Sequence, residues 1–235
     1  VRSRRQRQMC IRDRTKTVVK GTHHDLAVML YEKFGDEFVC ADIINHRKNG
    51  WYQFKDHRWQ ITATGVDLRN KIYDFLTPKF ERIKFEILAR RAGLDEMNPD
   101  NKVEVSSLTA KLRFVSNLLD SLGQSPFKKQ IMDECADVFY DPHFLKKLGK
   151  NRKILCCPNG VIDMETLRFR PGRPSDYMFI TTSCEFRKYN DSDPEMIELY
   201  EFLNKVFVDK SMRNYFLDVT CRLLIGGNTE KNCYM

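Results

Sequence analysis

"NGVIDMETLRFRPGRPSDYMF", residues 159–179, decides what kind of fold this chain adopts. Asn159-Gly160 suits a turn, because both residues tolerate backbone angles closed to most side chains. Val161-Ile162-Asp163-Met164 then alternates, Glu165-Thr166 breaks the pattern, and Leu167-Arg168-Phe169-Arg170 resumes it. A period of two bounded by turn residues predicts a β-hairpin. The hairpin lies between segments with helical periodicity, so the chain cannot be a pure helical bundle.

Those flanking segments are long. Leu26, Val28, Met29, Leu30 and Phe34 form an imperfect stripe over His23 to Phe34, and Gly35 ends it. Phe38-Val39-Cys40 is a short strand candidate. "NGWYQFKDHRWQIT" (49–62) joins two aromatic-rich runs through Lys55-Asp56-His57-Arg58 and predicts a second hairpin. Val66 to Gly93 is helical, with Leu68, Ile72, Phe75 and Leu76 on one face, continued by Phe80, Ile83 and Ile87. Thr77-Pro78 inside it predicts either a kink or two abutting helices. After a loop at 94–104, Ser106 or Ser107 is the expected cap of a helix carrying Leu108, Leu112, Val115, Leu119 and Leu122, stopped by Gly123. Ser125-Pro126 opens another helix, through Phe139. Asp193-Pro194 opens one to about Val208, and a last runs from about Ser211 to Ile225.

The expected class is therefore α+β, mainly helical: a helical bundle with two small β-hairpin units. Its segments are 15–62 (first helix and aromatic hairpin), 63–142 (helical), 143–190 (β-hairpin region) and 191–235 (two helices).

Composition narrows the function. The chain has 235 residues, 42% hydrophobic and 31% charged, which is enough to bury a core. No run of 18 apolar residues and no apolar stretch after the basic start is found, so neither a membrane span nor a signal peptide is expected. Eight cysteines lack any C-x-x-C, and the histidines lack finger spacing. Reduced thiols in an intracellular, soluble protein are expected, with no metal site. The net charge of +8 is uneven: VRSRRQRQMCIRDR, residues 1–14, holds six arginines and one aspartate, leaving +3 for the rest. That run reads as a basic arm or, more simply, as a translated sequencing-adaptor peptide, which it resembles throughout; it is set aside from the fold.

Candidate chemistry is sparse. No G-x-x-x-x-G-K-[ST] occurs, since Gly149-Lys150 is followed by Asn151 and has no upstream partner glycine. Asp191 and Asp193 have the spacing of metal-binding carboxylates but sit in Asn-Asp-Ser-Asp-Pro, which is turn and cap chemistry. Asp163 and Glu165 have no nucleophile or oxyanion donor beside them and read as turn residues. No catalytic, cofactor-binding or metal-ligating residue is assigned. Trp51, Tyr52, Phe54 and Trp59, set among Arg47, Lys48, Lys55 and Arg58, form either a packed hairpin or a platform for single-stranded bases. Alternation puts Trp51 and Gln53 on one face and Tyr52 and Phe54 on the other. Trp51 is the aromatic expected to be exposed, so the candidate nucleic-acid contacts are Arg47, Lys48, Trp51, Lys55 and Arg58.

Three blocks carry a family resemblance. "FYDPHFLKKLGKNRKILCCPNGVIDMETLRFRPGRPSDYMFITTS" (139–183) resembles the segment before the helicase core of poxvirus-type viral primase-helicases, the superfamily 3 helicases of large DNA viruses, and of related phage and plasmid primases. The shared features are a helix-ending Asp, a hydrophobic strand, the Asn-Gly hairpin, the basic-proline turn Arg170-Pro171-Gly172-Arg173-Pro174 and the closing pair Asp176-Tyr177. "WYQFKDHRWQ" (51–60) is similar to the family's Trp-Tyr…Trp element. "FLNKVFVDKSMRNYFLDVTCRLLIGGNTEKNCYM" (202–235) is similar to its helices leading into a Walker A loop. The resemblance implies DNA replication as the process and an ATP-driven, ring-forming helicase as the parent. This chain would be its linker and collar-like region, supporting assembly and positioning single-stranded or forked DNA. ATP and Mg would belong to a downstream ATPase domain, against which Phe216, Leu223 and Leu224 would pack. The chain then reads as a gene fragment cut at both ends, acting at the viral replication site in the cytoplasm or nucleus of the host. Alternatives are a stand-alone single-stranded nucleic-acid-binding module and a purely structural oligomerisation module.

Overall fold

The computed structural model describes residues 21–43, 49–95 and 98–224. In chain order the elements are α1 (His23–Phe34), β1 (Phe38–Ile43), β2 (Asn49–Lys55), β3 (Arg58–Thr62), α2 (Val66–Ala92), α3 (Lys102–Leu122), α4 (Ser125–Val138), α5 (Phe144–Lys147), β4 (Ile154–Cys157), β5 (Gly160–Asp163), β6 (Arg168–Arg170), α6 (Pro194–Val206) and α7 (Lys210–Leu223). The α+β, mainly helical expectation holds. Each expected hairpin gains a third strand, giving antiparallel sheets β1-β2-β3 and β4-β5-β6. The chain divides into two units: residues 21–53 with 61–144, and residues 54–60 with 145–224.

In the first unit, α1 starts where Thr22 and Asp25 satisfy each other's backbone N–H groups in a capping box. Its buried Leu26, Ala27, Met29 and Leu30 share one core with Leu68, Ile72, Leu76 and Phe80 of α2, a strict four-residue repeat along one helix face, with α1 packed chiefly on α4 and α2 on α3. Val115, Leu118 and Leu122 of α3 and Ile131, Met132, Cys135 and Ala136 of α4 belong to the same core, with Phe38, Cys40, Trp51 and Phe139.

Of the two alternatives at Thr77-Pro78, α2 runs as one helix of 27 residues and not as two abutting ones. A proline deletes one helical hydrogen bond, but the apolar stripe buried on both sides of it keeps the helix continuous. One helix boundary differs from expectation. α3 begins at Lys102 rather than after a serine cap. Asn98 accepts from the Asp100 N–H and starts a 3-10 turn over Pro99–Asn101 that runs straight into the helix.

The exposure expected for Trp51 is overturned. Its ring is 2% exposed and lies edge-on to Phe139, with centroids 5.6 Å apart. The alternation holds, but both faces of the strand are covered: Tyr52, on the opposite side, packs 5.1 Å from Phe144. β1 is tied to the end of α4 by Cys40 N–H donating to Phe139 O at 3.0 Å and Asp141 N–H donating to Cys40 O at 3.0 Å. This holds Phe139 over Trp51. Gly65, with φ +66°, comes close enough that an added Cβ would lie 3.1 Å from the indole Cδ1.

In the second unit, β4 pairs with β5 from Ile154↔Asp163 to Cys157↔Gly160, and β5 with β6 from Val161↔Arg170 to Asp163↔Arg168. Cys156, Val161 and Met178 form a small core, with Ile154 against it. α6 and α7 bury only Leu203. No helix among the described residues is long and apolar enough to cross a membrane.

Because Trp51 is a core side chain, Trp51→Ala is expected to cost about 3–5 kcal/mol of stability. Urea unfolding should show this as a lower midpoint with an unchanged slope.

Candidate nucleic-acid interface

Arg47 and Lys48, two of the five candidate contacts, lie outside the described residues. The other three divide between the units: Trp51 is in the first core, while Lys55 and Arg58 flank the tip of the β2–β3 hairpin. The tip is a two-residue turn, Asp56-His57, with φ of 49° and 64°. Positive φ at both positions is the geometry whose twist matches antiparallel strands. Gln60 Nε2 donates to Lys55 O at 3.1 Å and to Asp56 Oδ2 at 3.3 Å, which fixes the tip. Lys55 is exposed and Arg58 half-buried.

The aromatic side chains at this tip are used internally. Trp59 is 3% exposed, its Nε1–H donates to Pro174 O at 2.9 Å, and its backbone N–H donates to Met178 O at 2.7 Å. Phe54 packs edge-on against it at 5.6 Å. His57 Nδ1 accepts from Gly172 N–H at 3.1 Å, which places the proton of the neutral ring on Nε2. A Cβ on Gly172 would lie 2.7 Å from the His57 carbonyl oxygen, so glycine is required there. The hairpin therefore offers cations but no free indole, and the stacking platform is not formed by either tryptophan.

What positions this turn is a part-buried ion pair that the sequence did not single out. Arg170 Nη1 and Nη2 each donate to one oxygen of Asp176 at 2.8 Å, and Arg173 N–H donates to Asp176 Oδ2 at 2.7 Å. Asp176 is only 6% exposed. Its hydrogen bonds push the Arg170 pKa above that of a free guanidinium. The two-nitrogen fork closes the turn 170–176 and sets Tyr177 in the left-handed region, φ 51°. Asp176 was visible only as half of an Asp-Tyr pair; its arginine partner six residues upstream carried no periodic signal.

Asp163 and Glu165 lie at a turn, as expected, while the cap expected of Asp193 is not made by its side chain. Asp163 Oδ1 accepts from the N–H groups of Glu165 and Thr166, at 3.1 and 3.2 Å, which holds its pKa below the usual carboxylate value. Glu165 pairs with Lys153. Asp193 occupies the N-cap position of α6, yet its Oδ2 accepts from Asn190 N–H at 2.9 Å, closing the preceding turn instead of capping the helix. Asn159 does more than turn the chain: its amide exchanges hydrogen bonds with the backbone of Phe186, at 2.8 and 3.0 Å. Phe169 stacks on Phe186 beside it, with centroids 4.7 Å apart. An added Cβ on Gly160 would lie 2.8 Å from Arg170 O, so Asn159-Gly160 is specified by two different constraints.

Arg170→Lys keeps the charge but loses the fork. Amide hydrogen exchange at Asp176 and Trp59 should then quicken at least tenfold, with exchange in α2 and α3 unchanged, measured by mass spectrometry.

The family model described as "D5 N terminal like" matches residues 27–208. A relative from Acanthamoeba polyphaga mimivirus, named as a helicase, is 32% identical over 94% of this chain and 22% of its own length. One from Invertebrate iridescent virus 3 is 29% identical over 92% of this chain and 24% of its own, and one from Frog virus 3 is 23% identical over 71% and 19%. Both are also named as helicases. The chain thus spans less than a quarter of the length of these curated relatives. With most of its residues inside that match, the chain belongs to the D5 N terminal like family, the N-terminal region of viral primase-helicase proteins.

Proposed function

We propose that this chain is the linker and collar-like region preceding the ATP-dependent core of a viral-type replicative primase-helicase. It supports assembly of the parent ring and positions single-stranded or forked DNA, at the replication site inside the host cell. The observation that carries this reading is the match over residues 27–208 together with relatives named as helicases that are more than four times longer. ATP and Mg act on the downstream ATPase domain, and the residues of this chain contribute position rather than bond-breaking chemistry.

The helices α6 and α7 support a docking role. Phe202 is 59% exposed, Val208 92% and Leu223 70%, with Ile197, Leu199, Val206 and Phe216 also open. Open apolar side chains along these two helices and the turn between them favour an interaction surface. In this reading its occupant is the ATPase domain of the same polypeptide. The rival reading, a stand-alone nucleic-acid-binding module, draws on exposed Lys55 but loses its aromatic component with Trp51 and Trp59 buried.

The gene beyond codon 235 tests the reading directly. A Walker A motif is expected within about ten codons. Protein extended through the following domain should hydrolyse ATP, and the 235-residue chain should not. A stop codon at that point sinks the proposal.

A further inference from the structure

We propose that the phosphate backbone of nucleic acid is gripped by the basic β module of the second unit, chiefly by the loop 146–153, rather than by the aromatic hairpin. This rests on the nucleic-acid reading above and assigns it a surface.

The charge is concentrated there. Residues 54–60 and 145–188 hold twelve lysines and arginines against five acidic residues, a net +7, whereas residues 189–224 hold four against seven. Four of the five acids are already engaged: Asp163 and Asp176 with Arg170, Glu165 with Lys153, and Asp56 with Gln60. The net charge of +7 makes the field of this module positive, and most of its cations stand apart from these pairs. The stretch KKLGKNRK (146–153) contains five of the cations and no acid. Lys146, Lys150 and Arg152 are exposed, and among the described residues no carboxylate pairs with them.

The loop is also held in place. Gly149 adopts φ +67° and its N–H donates to Tyr177 O at 2.7 Å. Lys147 Nζ stands 5.5 Å over the Tyr177 ring, Lys150 N–H donates to Lys147 O, and Lys153 N–H to Asn151 Oδ1 at 3.1 Å. The next carbonyl, that of Met178, accepts from Trp59 N–H. Two consecutive carbonyls thus bring together cationic segments about ninety residues apart in sequence, 146–153 on one and Lys55 to Arg58 on the other. Exposed Arg173 precedes them in the forked turn. Cations on ordered backbone lose less entropy on meeting a polyanion than cations on a free tail. With both tryptophans buried, binding is led by phosphate contacts, tolerant of sequence and steeply dependent on salt.

The test uses the full chain with the six arginines of residues 1–14 changed to alanine, so that this segment cannot mask the result. Affinity for a fluorescent oligodeoxythymidine is measured over a salt series. Lys146→Ala/Lys150→Ala/Arg152→Ala should weaken binding roughly tenfold or more at low salt and reduce the slope of log K against log salt by about 2. Lys146→Arg/Lys150→Arg/Arg152→Lys should restore both, and Lys111→Ala/Arg113→Ala/Lys129→Ala on the first unit should change neither. Unchanged thermal melts ensure that folding is not the cause. If the parent binds and the first triple variant binds equally well, the loop assignment is overturned while the nucleic-acid reading survives. If the parent fails to bind, or polyglutamate displaces the oligonucleotide as well as unlabelled DNA does, the nucleic-acid reading falls and takes the assignment with it.

Discussion

Burying the carboxylate of Asp176 is the constraint on which the second unit turns. A charge withdrawn from water is strongly unfavourable unless it is paired and hydrogen-bonded, and here three donors meet two oxygens: both terminal nitrogens of Arg170 and the Arg173 N–H. Meeting that demand forces the chain to double back between Arg170 and Asp176. The doubled chain then presents Gly172, Pro174 and Met178 to the hairpin tip and Tyr177 to the basic loop. A lysine at position 170 supplies the charge but not the planar fork, so the turn geometry depends on guanidinium in particular.

The first unit rests on a different kind of force. Its helices are held by apolar stripes, and the four-residue repeat of Leu68, Ile72, Leu76 and Phe80 is continuous enough to carry α2 through a proline. Trp51 closes this core from the sheet side. One hairpin thus serves two environments, with an aromatic base in an apolar core and a polar tip clamped by backbone hydrogen bonds. The aromatic residues that invite a base-stacking interpretation are consumed by these two tasks.

Much of the fold was legible in the residues, for a clear reason. α1 was delimited by its stripe and Gly35, α4 by Ser125-Pro126, and the β5–β6 hairpin by period-two alternation around Glu165-Thr166, because each signal is local and repeats. The start of α3 was misplaced because Asn98-Pro99 launched a 3-10 turn with no apolar period to announce it. Asp163 is the turn residue its sequence setting implies, whereas Asp193, expected as a helix cap, holds the N-cap position but bonds backward to Asn190 rather than into its helix.

The candidate site divides along the same line. Residue order alone determined the element types, the alternation of Trp51 and Tyr52, the cation-rich composition around the β units and the family resemblance, since periodicity, turn chemistry and charge count are properties of neighbours in sequence. Only the tertiary structure decided that both faces of β2 are covered, that Trp59 is spent on Pro174, and that Arg170 and Asp176 form a fork. It alone placed Lys146–Lys153 and Lys55–Arg58 on either side of one dipeptide. Burial and proximity depend on segments far apart in the chain, and no local pattern encodes which of them meet.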